Sequence, residues 1–346
     1  MTVPVGVIGY GMSGRRFHVP LIKATKGLTL CAIMTRTPDA AAQAKAEHPE
    51  VTVVSNIDEL QASGAVLGVV ATPDATHSTL AAVLIERGLG VVVDKPLATS
   101  AAAGRRLVDA AAAAGVLLTS FQNRRWDSDY RTVLKVINSG VLGDITRVES
   151  SLARWFVPDA STWRGRPTDG VLAGSLGGFG SHLVDQMIAA FGRVEHVYGE
   201  VAARHRQSLV NDDVFLALRH ASGVSSHLIM GTALSGERPR FMLQGTRGSF
   251  TKFGFDGQQE SLMQGRDPLS KNWGQEAKDC WGHLTIDGKR TLLPSEHGDW
   301  RQFYVGLVGA LEGDHSLLVD PSEVVHSLEV LEAGALSERT RQVVSV

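Results

Sequence analysis

From Val3 to about Phe121, short and almost continuously apolar runs alternate with stretches of helical character. The runs are Val5–Ile8, Leu28–Met34, Val51–Val54, Val66–Ala71, Val91–Val93 and Val116–Thr119. Their β-branched, unbroken apolar character suits strands buried on both faces, as in a parallel sheet. Between them lie helix candidates at Ser13–Ala24, Ala40–Glu47, Ile57–Ala62, Thr76–Arg87 and the alanine-rich Ser100–Ala114. Strand and helix in strict alternation predict a doubly wound α/β sheet.

After Phe121 the period changes. A helix is expected over Asp127–Asn138, ended near Gly140, and then longer strand-like segments follow at Ile145–Phe156, Val194–Arg204, Val214–Arg219, Val224–Met230, Phe241–Gln244 and Ser249–Phe253. Turn residues such as Ala221-Ser222-Gly223 and Thr246-Arg247-Gly248 separate several of them, which predicts antiparallel hairpins. Gly254–Cys280 is polar and glycine-bearing and reads as a long loop with a short hairpin after it; helices at Trp300–Leu311 and Pro321–Ala335 close the chain. The fold class read from this is an α/β dinucleotide-type domain over residues 1–121, plus an α+β domain over 122–346 with a large, mostly antiparallel open sheet. A C-terminal helix is a candidate to pack back on the first domain.

Composition narrows the function classes. With 346 residues, 43% hydrophobic and 20% charged, the chain is long enough for two domains. A formal net charge of −2 argues against a nucleic-acid binder, which would show a basic excess. No apolar run approaches the roughly 18 residues a membrane span needs, and Met1-Thr2-Val3-Pro4-Val5 lacks a signal-peptide layout. The two cysteines, Cys31 and Cys280, form no CxxC pair, and the 12 histidines form no HExxH, so no metal is expected and the chain reads as cytoplasmic.

The first strand runs into Gly9-Tyr10-Gly11-Met12-Ser13-Gly14, a GxGxxG between a buried strand and a helix. Glycines there permit a tight turn and close backbone approach, and free amides at the helix start face a pyrophosphate, as in a Rossmann domain. Arg15 and Arg16 follow directly and are candidates to assist. An NAD site usually carries an acid about 20 residues on. Here the second strand ends Met34-Thr35-Arg36-Thr37, with no acid until Asp39. Arg36 and the flanking hydroxyls suit a 2′-phosphate through charge-assisted hydrogen bonds, so NADP(H) is the expected cofactor, with NAD left open. Two further strand ends face the carboxyl edge where ligands bind: Thr72-Pro73 with His77, and Asp94-Lys95-Pro96. The expected nucleotide contacts are thus Gly9, Gly11, Met12, Ser13, Gly14, Thr35, Arg36, Thr72, Pro73, His77, Asp94 and Lys95.

Taken together, GYGMSGRRFHVPLI at 9–22, VATPDATH at 70–77, VVVDKPLATS at 91–100, QNRRWDSDY at 122–130, WRGRP at 163–167 and GSHLVDQ at 180–186 resemble the Gfo/Idh/MocA oxidoreductases, with FHVPLI and QNRRWDSDY closest to the scyllo-inositol dehydrogenase branch. The resemblance runs through nearly the whole chain. It implies hydride transfer to or from a sugar or polyol carbon on a nicotinamide nucleotide, an open-sheet domain used for substrate and for self-association into a dimer or tetramer, and Lys95 at the substrate hydroxyl. It further implies a catalytic role for His182 and substrate contacts from Asp185, Asn123, Arg124 and Arg164. His18, on the first helix, reads as a buried structural histidine.

Two departures stand against the family pattern. Asp94 replaces the usual glutamate before the lysine. Four residues before His182, where the pattern carries an aspartate, stands Gly178. A glycine neither orients an imidazole nor stabilises its charged form, so Lys95 and His182 act alone or another group substitutes; Asp169, Arg154 and Arg164 lie nearby in sequence. The missing acid keeps alternatives open: a non-catalytic, nucleotide-dependent binding or regulatory protein on the same fold, or a glycosidase that oxidises and re-reduces its substrate.

Overall fold

The structure, a computed structural model, describes residues 2–167 and 172–346. Its chain divides into two compact units: Met1–Asn123 with Gln258–Trp273 and Asp299–Val324, and Arg124–Gly257 with Gly274–Gly298 and Val325–Val346.

The first unit holds a six-stranded sheet of β1 (Val3–Ile8), β2 (Leu28–Met34), β3 (Thr52–Val54), β4 (Leu67–Val70), β5 (Gly90–Val93) and β6 (Leu118–Ser120), in the order β3-β2-β1-β4-β5-β6. Every pairing is parallel. The unbroken apolar runs have their physical reason here: Val5, Val7, Val69, Val91, Val92 and Val93 are fully buried, because helices cover both faces. Side chains fix the helix boundaries. Asn56 caps Ile57–Ala62 by accepting from the Glu59 amide at 2.9 Å, Ser100 caps Ala101–Ala114 through the Ala103 amide at 3.2 Å, and Gly115 ends that helix in the left-handed region at φ +66°.

The first helix departs from the continuous Ser13–Ala24 expected. A π-helical turn, Gly14–His18, precedes α-helix Val19–Lys23, and the Val19 amide reaches back to the Gly14 carbonyl. Pro20 explains it: with no N–H and a bulky ring, it spoils the ordinary ladder one turn back, and the wider turn absorbs the mismatch. The stretch read as a long loop, 254–280, contains a helix, Gln258–Met263. Its buried Gln258 accepts from the Trp273 indole N–H at 3.0 Å and the Trp300 amide at 2.8 Å. Aromatic contacts bind the segment from Asp299 to this unit: Trp300 meets Phe17 edge-on at 5.8 Å, and Phe303 meets Phe121 at 5.0 Å.

The second unit carries a nine-stranded sheet. Its strands are β7 (Ile145–Ala153), β8 (Val194–Ala202), β9 (Asp213–His220), β10 (Ser225–Gly231), β11 (Phe241–Gly245), β12 (Gly248–Lys252), β13 (Gly282–Ile286), β14 (Lys289–Leu293) and β15 (Val344–Ser345). The order is β14-β13-β12-β11-β7-β10-β9-β8-β15, antiparallel except where β7 runs parallel to β10. Burial alternates: Val214, Leu216, Leu218, Leu228 and Met230 are buried, while Phe215, Ala217, His227 and Ile229 between them are only half-buried. One face therefore carries helices Ser128–Asn138, Gly180–Phe191 and the end of Pro321–Thr340, and the other is left open. β15 and the five-residue helix Gly174–Gly178 were not foreseen; both are too short to carry a period. Cys31 and Cys280 are unpaired. No described helix is long and apolar enough to cross a membrane, and no group of metal-ligating side chains occurs among the described residues.

Candidate active-site residues in each unit

In the first unit, β1 ends at Ile8 and the glycine turn follows. Gly9 has φ +99°, and a Cβ there would stand 2.5 Å from the Ala71 carbonyl oxygen. A Cβ at Gly14 would stand 2.0 Å from the Gly9 oxygen, so neither position admits a side chain. At Gly11, by contrast, a Cβ would meet nothing within 4 Å. A bare backbone facing open space is what a pyrophosphate approaching the amides requires, so the turn fits a dinucleotide. Met12 is exposed beside it. At the end of β2, the Thr35 amide is tied to the Val54 carbonyl at 3.0 Å. Arg36 is exposed and makes no ion pair among the described residues. Arg15 turns away from the role suggested for it. It ion-pairs with Glu47, which also accepts from the Tyr10 hydroxyl at 2.6 Å, and these bonds, Arg15 first, lower the Glu47 carboxyl to about 2.

At the end of β4, the Thr72 and Thr76 hydroxyls lie 2.6 Å apart and Pro73 opens the short turn Asp74–Thr76. His77 is fully buried, with Nδ1 2.7 Å from the Pro96 carbonyl and Nε2 2.9 Å from the Thr72 carbonyl. Its ring joins the β4 and β5 loops through both nitrogens.

At the end of β5, Asp94 accepts from the Lys95 amide at 2.8 Å and from the Ser13 hydroxyl of the glycine turn. The fully buried His18 places Nε2 3.7 Å from Asp94 and Nδ1 2.6 Å from the Tyr304 hydroxyl, its ring lying against Phe121. Burial pushes the Asp94 carboxyl up, but the His18 imidazole, the Ser13 hydroxyl and the Lys95 charge outweigh it and hold the group well below the usual carboxylate range. Burial and the Asp94 charge raise the Tyr304 phenol well above its ordinary value, so it keeps its proton. A proton on Nε2 facing the carboxylate then leaves Nδ1 to accept from Tyr304. His18 is thus the buried histidine expected, but with a further link to the residue next to Lys95. Lys95 itself is half-buried at the strand end, joined to Pro96 by a cis peptide bond. Tyr304 carries no signal in the sequence, because 286 residues separate it from His18.

Asn123, the last residue of the first unit's long N-terminal segment, is buried and opens the short helical turn Asn123–Trp126. In the second unit, His182 sits in the first turn of helix Gly180–Phe191, mostly buried, its amide bonded to the Phe179 carbonyl at 3.1 Å. Asp185, expected at substrate, is buried and held by both nitrogens of Arg125 at 2.9 and 2.7 Å. Such a bidentate pair fixes the position of the helix. Arg124 bonds Asp127 at 2.9 Å, and its carbonyl accepts from the Gln186 side chain at 2.7 Å. Arg240, 1% exposed, reaches Asp129 at 3.2 Å, the Ser150 hydroxyl at 2.6 Å and the Gln186 side-chain amide oxygen Oε1 at 2.8 Å. Gln186 thereby ties the face that carries His182, one turn earlier, to two arginines. Arg164 is exposed and stacks on Trp163 at 4.7 Å. Gly178 closes the short helix Gly174–Gly178, and a Cβ there would meet nothing within 4 Å. Asp169 lies outside the described residues. Arg125, Gln186 and Arg240 were not foreseen as a group; only the fold brings them together.

Comparison with known proteins agrees with both units. Residues 3–122 match the oxidoreductase family with an NAD-binding Rossmann fold, and residues 130–251 match the GFO/IDH/MocA C-terminal domain. The chain belongs to the Gfo/Idh/MocA family, and as such it is an NAD(P)-dependent oxidoreductase acting on CH–OH groups. It is 31% identical to scyllo-inositol 2-dehydrogenase (NADP(+)) IolW of Bacillus subtilis, over 99% of this chain and 96% of that one. It is 34% identical to the uncharacterized oxidoreductase YdgJ of Escherichia coli, over 98% and 97%. The solved structure of the oxidoreductase yvaA from Bacillus subtilis superimposes with a TM-score of 0.92 at 30% identity, covering 100% of this chain and 98% of that one.

Proposed function

We propose that the protein is an NADP(H)-dependent oxidoreductase that transfers a hydride to or from a sugar, inositol or related keto compound. The observation that carries the reading is the linked set Ser13, Asp94 and Lys95, in which the glycine turn holds by its own hydroxyl the carboxylate that fixes the lysine's backbone. The nicotinamide nucleotide, when bound, accepts or supplies the hydride. For an alcohol, loss of that hydride must be matched by loss of the hydroxyl proton. Lys95 is assigned to hold that hydroxyl and pass the proton on, and His182, by the motif of its own unit, is assigned a catalytic role. Each assignment rests on the motif in its own unit. Exposed, unpaired Arg36, with no acid at the end of β2, supports NADP(H) over NAD(H). The relative named for scyllo-inositol and NADP(+) supports both the polyol and the phosphate. The open sheet face of the second unit, with half-buried Phe215 and Ile229, supports self-association into a dimer or tetramer. A cytoplasmic location is the matching expectation.

The test is absorbance of the reduced nicotinamide with NADP⁺ or NAD⁺ and a panel of inositols and aldoses. Lys95→Ala is expected to lower the rate by roughly 10²–10⁴-fold, the usual worth of a positioned acid–base group. Arg36→Ala should raise KM for NADP⁺ by about 10-fold or more, the scale of one charge-assisted bond, and leave NAD⁺ little changed. Gly178 favours a second reading, a nucleotide-dependent binding protein. Intact NADPH binding with no turnover in either direction would establish that second reading instead.

A further inference from the structure

One carboxylate of the first unit is addressed from three places. Asp94, at the end of β5, takes the Lys95 amide on Oδ1 at 2.8 Å and the Ser13 hydroxyl of the glycine turn on Oδ2. The imidazole of His18 faces the same Oδ2, with Nε2 at 3.7 Å. His18 is fully buried and its Nε2 has no hydrogen-bond partner among the described residues, so the Asp94 carboxylate is what that edge of the ring addresses. Local structure explains how Ser13 and His18 reach one oxygen. They are five residues apart, which in an α-helix sets side chains about 140° from each other around the axis. The π turn Gly14–His18, closed by the Val19 amide on the Gly14 carbonyl, widens the turn and brings positions five apart nearly into line. The wider turn thus does more than accommodate Pro20: it aims a hydroxyl and an imidazole at one carboxylate.

Tyr304 decides which edge of the imidazole carries the proton. Its hydroxyl stands 2.6 Å from His18 Nδ1, and both residues are fully buried. The phenol keeps its proton and donates it to Nδ1, which leaves the imidazole proton on Nε2, toward Asp94. Phe121 lies 4.3 Å from the His18 ring and 5.8 Å from the Tyr304 ring, and Phe303 meets Tyr304 edge-on at 5.1 Å, so packing holds both rings in place. Without the hydroxyl the proton is free to move to Nδ1. The Nε2 lone pair would then face the carboxylate, and attraction would turn to repulsion.

We propose that Tyr304 and His18 are positioning residues for Lys95: the phenol sets the imidazole tautomer, the imidazole steadies Asp94, and Asp94 fixes the lysine's backbone beside the glycine turn. This deepens the redox reading above and rests on its assignment of Lys95. Both side chains act through Asp94 rather than on the reacting atoms. A mere clamp between the first helix and the segment from Asp299 would need the Tyr304 hydroxyl on the ring, but would be indifferent to which nitrogen keeps the proton.

The experiment reads kcat and KM by absorbance of the reduced nicotinamide across the inositol and aldose panel. Beside it, nuclear magnetic resonance of protein labelled with nitrogen-15 lysine follows the Lys95 amide, its signal assigned with Lys95→Arg. Tyr304→Phe keeps the ring and loses only the hydroxyl. It is expected to move the Lys95 signal and to lower kcat by about 5- to 10-fold, the scale of one hydrogen bond, with KM for NADP⁺ changed less than about 2-fold. His18→Gln keeps a side-chain N–H toward Asp94 and has no tautomer to set. It should retain more activity than His18→Leu, and adding Tyr304→Phe to it should lower kcat by less than about 2-fold further. Circular dichroism checks each fold, and Tyr304→Phe decides alone where a His18 variant does not fold. A Tyr304→Phe protein that melts lower yet keeps the parent kcat would make the pair a structural clamp and overturn the inference. A kcat loss of the same size in the His18→Gln background would overturn it too, and so would an unmoved Lys95 signal. A moved signal in a protein whose parent turns over nothing on the panel would uphold the positioning and remove the redox reading.

Discussion

Arg240 is the charged group on which the helix-covered side of the second unit most depends. It is 1% exposed, its guanidinium bonds Asp129, Ser150 and Gln186, and it stacks on Phe241 at 4.1 Å. Asp129 is equally buried, and its second oxygen, Oδ1, has no hydrogen-bond partner among the described residues, so Arg240 is its principal compensation. Arg240→Met preserves much of the volume but leaves a buried carboxylate without its cation. Breaking one side of such a pair costs about 3–5 kcal/mol. For a domain of roughly 150–250 residues each kcal/mol moves Tm by about 2–4 °C, which places the expected loss at about 6–20 °C. Asp129→Asn removes the orphaned charge, so the double variant Arg240→Met with Asp129→Asn should recover part of the loss, giving a non-additive cycle. The assay is thermal unfolding followed by near-ultraviolet circular dichroism, with kcat/KM measured on the same samples. Because Gln186 is tied to Arg240 one turn from His182, kcat/KM should fall with the single variant as well. A Tm loss under about 2 °C, or strict additivity of the two substitutions, would refute the view that Asp129 depends on Arg240.

Two further predictions concern the first unit. Gly11→Ala meets no protein atom and should fold and melt like the parent, yet weaken NADP(H) binding, read by fluorescence titration, by about 10-fold or more as the methyl crowds the pyrophosphate. Gly14→Ala, whose Cβ would collide with the Gly9 carbonyl, should instead lose both stability and binding; equal behaviour of the two variants would contradict the assignment of the turn. The Arg15–Glu47 pair gives a pH signature. Its glutamate is lowered from 4.5 to about 2, so its stabilisation is complete above the unfolded value and fades as pH falls from about 4.5 toward 2. Being partly exposed, it is worth about 1 kcal/mol or less. Wild type and Glu47→Gln should therefore differ in urea midpoint at pH 6 and converge near pH 2, and parallel curves would be inconsistent with this account.

The first unit was the more legible in sequence because its strands are buried on both faces. Buried parallel strands leave unbroken apolar runs, and the turn chemistry of Gly9, Gly11 and Gly14 marks the nucleotide end directly. Where legibility failed there, the causes were local: Pro20 disturbed a helical ladder whose apolar period looked continuous, and Gln258 anchored a helix too short to show a moment. In the second unit the alternation of β9 and β10 was readable, but the parallel pairing of β7 with β10 was not, since both orientations bury the same face. Long-range polar partners were invisible for the same kind of reason. His18 with Tyr304, Arg125 with Asp185 and Arg240 with Asp129 are separated by 286, 60 and 111 residues, and nothing in local composition selects such partners.

Those partners also clarify what the glycine at 178 means chemically. An active-site carboxylate lost by substitution could in principle be replaced by another acid already present nearby. Three acids of the second unit are committed elsewhere, Asp185 to Arg125, Asp127 to Arg124 and Asp129 to Arg240, while Asp169, the candidate by sequence, lies outside the described residues. Releasing any of the three toward a substrate would strand a buried arginine, at a cost of several kcal/mol on the scale of a broken buried pair.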